Sequence, residues 1–261
     1  MTRASFAFTK WYIDCLDAKG GLVILYWTSL EWRHLRLTWH SVTQSAPDAA
    51  PRTRSSIVAC EPPVPSAESI RWSSKRLHCE ADLHTGVAAA AAIATQELAP
   101  GVFWTCAAPA ARATVRLGDS LFRGTGYAEH IRLELPPWQL GIRRLRWGRW
   151  IGEGATRSVV WIEWSGDTDR RWVFLDGLAS SARRVDERSI VADNATLTLD
   201  NGAVVIDRRV GAAIGRIAAL RAIAPRWLMA ARETRRTHFG TLNDGRTETR
   251  GTAVDEVVEF G

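Results

Sequence analysis

Short runs in which apolar and polar residues alternate recur along most of this chain, and this pattern limits its fold more than any other feature. Leu35-Arg36-Leu37-Thr38-Trp39 has the two-residue period of a strand with one wet face. The aromatic and branched runs at 11–16 and 22–27 enclose a loop with Asp17 and a Gly-Gly pair, the pattern of a β-hairpin. Many such runs in succession predict a sandwich or barrel of antiparallel strands rather than a parallel α/β sheet.

The strand pattern restarts after residue 113, with turns marked by Asp, Asn and Gly. The predicted strands of this part are 113–117, 129–135, 141–150, 158–164, 171–175, 182–185, 189–191, 196–199, 204–208 and 254–260. One helix is predicted at 210–223, and a proline-rich loop at 44–69 with a short strand at 57–60. The alanine-rich segment 86–96 is compatible with a helix or a strand.

The chain length of 261 residues allows one to two domains. The alanines of 107–111, with Pro109 among them, are a natural break in the strand pattern. We therefore predict two β modules that pack together, 1–110 and 111–261, each large enough to form a barrel-like unit with little helix.

The formal net charge of +6 raises the question of nucleic-acid binding. Arginines are spread along the whole chain and mixed with 28 acidic residues, and the one dense basic run is 143–150, in which arginines alternate with tryptophans. Such a run could bind a single strand by charge and stacking. We favour a strand with a packed aromatic side and arginine stems lying over apolar surface, and we predict no nucleic-acid partner.

The cysteines and the N-terminus predict a cytoplasmic protein. The four cysteines have no paired C-x-x-C spacing and are too few for a disulfide framework, so free thiols in a reducing compartment are expected. Met1-Thr2-Arg3 begins no signal peptide, and the longest weakly polar stretch is about half the length of a membrane span.

Any catalytic activity of this chain is expected to use a shaped pocket and an acidic or basic side chain. The sequence has no Walker A loop, no dinucleotide-binding glycine motif, no nucleophile elbow and no H-E-x-x-H zinc motif, so we predict neither a cofactor nor a metal. The 13 tryptophans must be buried or line a cavity. A carboxyl group enclosed by aromatic rings favours its protonated form and can serve as a general acid.

Three strand segments place a carboxylate and an aromatic residue on one face. In the Gly124–His130 segment Tyr127 and Glu129 share a face, and the alternative is an exposed or salt-bridged glutamate beside a packed tyrosine. Tyr12 and Asp14 form the second pair, the alternative being an aspartate bonded to its turn. The third pair consists of Trp161 and Glu163, and its alternative is a buried Glu–Arg ion pair.

The order of these motifs resembles a known family. The segments are Trp11-Tyr12-Ile13-Asp14, Gly126-Tyr127-Ala128-Glu129-His130, Trp147-Gly148-Arg149, Glu163-Trp164 and Phe174-Leu175-Asp176-Gly177. Together they are similar to the carotenoid 1,2-hydratase (hydroxyneurosporene synthase) and AttH-like group, and to fungal calycin-type Diels–Alderases. The resemblance implies two lipocalin-like (calycin-like) β-barrel modules and a cofactor-free enzyme for a hydrophobic, polyene-like substrate.

The resemblance also implies roles for individual residues. An aspartate of the family protonates an isolated C=C bond, and this role falls on Glu129, with Tyr127 beside it. Here Glu replaces Asp, which moves the carboxyl group by about a bond length and changes the geometry of attack. The rings of Trp104, Trp147 and Trp161 would stabilise a cation.

The expected activity is hydration or cyclisation of a small isoprenoid or polyene substrate. Asp14 is a further candidate catalytic residue, and the candidate substrate-binding residues are Tyr12, Trp104, Trp147, Trp161 and Glu163. Loose association with a membrane would give access to a lipophilic substrate. The alternatives are a non-catalytic carrier of lipid or isoprenoid ligands and a pericyclase that works by pocket shape.

Overall fold

The structure is a computed structural model that describes residues 6–46, 49–85, 93–214, 221 and 224–260. These residues form two antiparallel sheets of ten strands each, which confirms the all-β prediction. The chain divides into two compact units, Met1–Pro137 and Trp138–Gly261.

The regular elements follow one another in chain order. The strands of the first unit are β1 (Phe6–Asp17), β2 (Leu22–Trp32), β3 (Leu35–Ala46), β4 (Ala49–Ser56), β5 (Val64–Pro65), β6 (Ser69–Ser74), β7 (Cys79–His84), β8 (Ile93–Ala99), β9 (Val102–Leu117) and β10 (Ser120–Leu133). The strands of the second unit are β11 (Ile142–Gly152), β12 (Ser158–Gly166), β13 (Arg170–Leu175), β14 (Leu178–Ser180), β15 (Ala182–Val185), β16 (Ser189–Ala192), β17 (Ala195–Leu199), β18 (Ala203–Arg209), β19 (Arg232–Asn243) and β20 (Glu248–Glu259). The helices are α1 (Val210–Ile214) and α2 (Arg226–Ala230), with 3-10 turns at Lys75–Leu77, Pro137–Gln139 and Glu153–Ala155.

Both sheets have the same topology, that of lipocalin-like modules. The first runs β4-β3-β2-β1-β10-β9-β7-β6-β5 with β8 on β9, and the second runs β14-β13-β12-β11-β20-β19-β17-β16-β15 with β18 on β19. In the first unit the His40 Nε2–Ser74 Oγ contact of 2.9 Å joins β3 to β6, which lie far apart in the sheet order. In the second, the backbone amide of Ser181 donates to Asp193 at 3.2 Å and links the two ends of the sheet. Each sheet therefore curls back on itself.

One face of each sheet encloses an apolar core. The core of the first unit includes Ile13, Leu25 and Ala128, which alternate along their strands with residues of the opposite face. The core of the second unit is built around Trp150 and Trp161. A Cβ atom at Gly148 would lie 2.1 Å from the Trp161 ring, so the ring occupies space that only a glycine leaves open.

The predicted break at Pro109 lies inside a continuous strand. The predicted boundary after residue 110 falls within β9, whereas the two compact units meet between Pro137 and Trp138. The register between β9 and β10 shifts on both sides of Ala128, so Pro109 sits in a bulged stretch where a missing amide proton does no harm to the ladder.

Two local predictions are corrected by the structure. The segment 44–69 is not a long loop, because β3 extends to Ala46 and β4 pairs with it as an edge strand, where Pro51 is tolerated. The segment 57–60 contains no strand. Of the predicted helix 210–223, α1 covers Val210–Ile214, while 215–220 and 222–223 lie outside the described residues. Of the segment 86–96, residues 86–92 also lie outside them, and β8 begins at Ile93.

Candidate active site

The central strands β1 and β10 bring two of the predicted pairs together. They are antiparallel neighbours in which Tyr12 lies opposite Glu129, and Asp14 lies opposite Tyr127. Side chains directly opposite each other point to the same side of a sheet. The four side chains therefore share one face, opposite to that of Ile13, and all four residues are at most 3% exposed.

Each tyrosine donates a hydrogen bond to the carboxylate two residues further along its own strand. Tyr12 Oη donates to Asp14 Oδ2 at 2.9 Å, and Tyr127 Oη donates to Glu129 Oε2 at 2.9 Å. Because the strands are antiparallel, the two tyrosine–carboxylate pairs run in opposite directions, and their tyrosine rings lie 6.1 Å apart. Asp14 and Glu129 occupy diagonal positions, a placement that separates residues by about 7–8 Å.

Strand β9 adds a second donor to Glu129. Trp104 Nε1 donates to the same Oε2 atom at 2.7 Å, and Trp104 is 1% exposed. The register shifts next to Ala128 set Cys106 opposite Glu129 and thereby turn Cys106 and Trp104 towards its face. The two donors fix the orientation of the Glu129 carboxyl group.

Burial keeps the groups around Glu129 in their neutral forms. Loss of hydration raises the pKa of Tyr127 well above its usual value, and the neighbouring Cys106 and Glu129 raise it further. Burial likewise raises the pKa of the Cys106 thiol, whose Sγ lies 3.6 Å from the Ala128 carbonyl oxygen. The Tyr127 hydroxyl therefore keeps its proton near neutral pH and remains a hydrogen-bond donor to Glu129.

The remaining predicted site residues belong to the second unit. Trp161 lies in the core of that unit, fully buried beside Trp150. Glu163 accepts a hydrogen bond from Arg171 Nε at 2.8 Å in a partly exposed ion pair, and its assignment to substrate binding stays a prediction. Trp147 is 6% exposed and lies on the opposite face of β11 from Trp150.

Two half-buried aromatic residues near the site, Tyr26 and Trp39, were not predicted from the sequence. In the first unit Tyr26 lies opposite Tyr12, with ring centroids 5.5 Å apart, and the Trp39 ring stacks on Tyr26. The sequence did contain a signal for Tyr26, because in the predicted hairpin of 11–16 and 22–27 this aromatic residue occupies the position paired with Tyr12.

The arginine-rich strand β11 differs from its predicted arrangement. Arg146 shares a face with Trp150, and Arg149 shares the other face with Trp147, so the strand has no separate aromatic and arginine sides. Arg146 is 2% exposed and Arg149 is fully buried. Arginines on both faces are thus part of the interior of the folded chain, and not only a surface coating.

No group of three or more metal-binding side chains occurs among the described residues. Within the same residues, no helix has the length and apolar character required to cross a bilayer.

No protein-family model matches this chain, and no curated protein matches it in sequence. Solved structures with a similar fold include the following three. CghA with bound Sch210972 gives a TM-score of 0.57 at 10% identity, over 98% of this chain and 89% of CghA. Kievitone hydratase from Nectria haematococca gives 0.55 at 9% identity, over 97% and 88%. An AttH protein from Nitrosomonas europaea gives 0.56 at 11% identity, over 96% and 92%. The fold of the AttH-like group is thereby confirmed for this chain, while the specific likeness to carotenoid 1,2-hydratase stays a prediction.

Proposed function

We propose that this protein is a cofactor-free enzyme that protonates a C=C bond of a hydrophobic isoprenoid or polyene substrate, leading to hydration or cyclisation. The observation that carries the proposal is the carboxyl group of Glu129, which is 3% exposed and held at one oxygen by Tyr127 and Trp104. A carboxyl group in such a dry, aromatic setting is the arrangement that a general acid requires.

Glu129 would deliver its proton from Oε1. Its other oxygen, Oε2, accepts two hydrogen bonds, so the acidic proton of the neutral form belongs on Oε1. Transfer of this proton to one alkene carbon breaks the π bond and leaves a cation on the other carbon. Trp104, whose indole lies against Glu129, offers an aromatic ring that stabilises positive charge.

Asp14 is placed to complete a hydration. A water molecule that attacks the cation forms the C–O bond and must lose one proton, which the Asp14 carboxylate would accept. Asp14 and Glu129 occupy diagonal positions of the β1–β10 pair, so their carboxyl groups belong to the same face of the sheet. The proton gained by Asp14 balances the proton given up by Glu129, and both transfers are reversed by exchange with solvent before the next turnover.

The fold neighbours support this class of reaction. One of them is named a hydratase, and another was solved with the small molecule Sch210972. The carrier alternative is weaker, because it provides no reason for two buried tyrosine–carboxylate pairs in place of apolar residues. Burying polar groups lowers stability unless each is hydrogen-bonded.

A deuterium-incorporation assay tests the proposal. The full chain is incubated in heavy water with a panel of acyclic polyene isoprenoids, and products are examined by mass spectrometry. Proton transfer to carbon places one non-exchangeable deuterium in either a hydrated or a cyclised product.

Glu129→Gln should keep the fold and abolish deuterium incorporation, while Tyr127→Phe should slow it by about 10²-fold or more. Glu80→Gln, an exposed site on β7, is the matched control and should leave the rate unchanged. Products without deuterium, formed equally well by Glu129→Gln, would establish a pericyclic reaction instead. A ligand that is bound and recovered unchanged would establish a carrier.

A further inference from the structure

The second unit contains a cavity that is lined mainly by charged residues, unlike the tyrosine–carboxylate site of the first unit. It has a volume of about 440 Å³ and is lined by Arg144, Arg146, Val185, Asp186, Glu187 and Arg188. Its size lies within the about 300–1,000 Å³ that small-molecule sites occupy. The cavity lies between strand β11 and the turn that joins β15 to β16, because Arg146 Nη2 donates to the Glu187 carbonyl oxygen of that turn at 3.1 Å.

The wall of the cavity includes one buried and one half-buried arginine of β11. Arg144 and Arg146 are two residues apart on β11 and share the face of Trp150, which belongs to the core. Arg146 is 2% exposed, and its Nε is buried without a hydrogen-bond partner among the described residues. The Nε of Arg144 is buried and unpartnered in the same part of the structure. Each such group lowers stability unless an acceptor reaches it.

The two carboxylates that act on Arg146, Asp255 and Glu163, also bind other side chains. Asp255 faces Arg146 Nη2 at a long 3.4 Å and also bonds His238 Nε2 at 3.0 Å, so one carboxylate is shared by two side chains. Glu163 is engaged by Arg171. Burial lowers the pKa of Arg146 against the opposing pull of Asp255 and Glu163, and the neighbouring Arg144 adds a smaller lowering effect.

The acids of the cavity wall lie at its rim. Asp186 is exposed and paired with Arg184 at 2.8 Å, so its charge is already matched. The backbone carbonyl of Glu187 accepts a hydrogen bond from Arg146, and Glu187 itself is exposed to solvent. Three of the six lining residues are arginines, whose guanidinium N–H donors bind carboxylates and phosphates with paired hydrogen bonds.

We propose that this cavity is a binding site for a small oxyanion, a phosphoryl or carboxylate group, held by Arg144 and Arg146 with Arg188 at the entrance. The two unpartnered Nε atoms provide donors that no described residue uses. The proposal is independent of the reaction assigned to Glu129, since all of its residues belong to the second unit.

Calorimetric titration of the full chain tests the site, with inorganic phosphate in one arm and succinate in the other, in chloride buffers of matched ionic strength. We expect saturable one-to-one binding of at least one of the two anions. Binding of phosphate would identify a phosphoryl ligand and binding of succinate a carboxylate ligand.

Variants locate the binding. Arg144→Gln should weaken it about tenfold or more, the loss expected for one charge-assisted hydrogen bond. Glu187→Gln should strengthen it by removing a like charge from the rim. Arg36→Gln is the control variant. It removes the same charge from an exposed residue of β3, in the first unit, and should have no effect on anion binding. Absence of saturable binding of both anions, or equal losses in Arg144→Gln and Arg36→Gln, would overturn the proposal.

Discussion

Asp255 is the carboxylate that holds two buried side chains of the second unit, and its replacement by asparagine should destabilise that unit. Oδ1 bonds His238 Nε2 at 3.0 Å, Oδ2 faces Arg146 Nη2 at 3.4 Å, and the three side chains are at most 3% exposed. Asp255→Asn preserves the shape and removes the charge. Breaking a buried ion pair by removing one partner costs about 3–5 kcal/mol. The Arg146 contact is long, and His238 can release its proton, so we expect about 3 kcal/mol.

Chemical denaturation at pH 7, followed by circular dichroism, measures this loss. Asp200→Asn is the matched control, because the Asp200 carboxylate lies 3.5 Å from the other ring nitrogen of His238 but is 48% exposed. Exposed pairs contribute at most about 1 kcal/mol. A loss below about 1 kcal/mol in Asp255→Asn, or equal losses in the two variants, would refute the assignment of Asp255 as the buried counter-ion.

Three further predictions concern stability and reactivity. Gly148→Ala should lower the unfolding free energy by about 1–3 kcal/mol or more, measured by denaturation, because the new methyl group meets the Trp161 ring. Burial opposes the charged form of His238, but the bonds to Asp255 and the Asp200 carbonyl outweigh it and raise its pKa. Its contribution to stability should therefore be complete below about pH 6.5 and fall as pH rises through the higher folded value, and His238→Gln should remove this slope. A thiol reagent should label only Cys60 in the native protein, since the other three cysteines are buried, and all four after denaturation; labelling of all four under native conditions would contradict this.

The candidate active site could be predicted in its two halves but not as a whole. The two-residue period places Tyr127 with Glu129, and Tyr12 with Asp14, and the structure confirms both shared faces. The sequence contains no local signal that β1 pairs with β10, whose residues are more than a hundred positions away. The contribution of Trp104 depends on two register shifts in β9, and the sequence showed only an alanine-rich break there.

The arginines show a different limit of sequence analysis. Their spread along the chain indicated a solvated surface, yet Arg146, Arg149 and Arg235 are at most 2% exposed. A two-residue period tells which side chains share a face but not whether that face is covered by another part of the chain. Pairing between strands decides this, as when Arg235 of β19 bonds Glu256 of β20 at 2.6 Å.

Both units bury charged side chains on the face opposite the core, but the second also buries an ion pair on the core face. In the first, the enclosed core is apolar, and burial lowers the pKa of the adjoining His40, while the carboxylates lie on the opposite face of the sheet. In the second, Arg146 and Asp255 lie on the face of the core itself. Replacing a buried ion pair with apolar side chains is often neutral or stabilising by about 1–4 kcal/mol. The charges inside the second unit are therefore poorly explained by stability alone, and a ligand that completes them gives a physical reason for the difference between the two units.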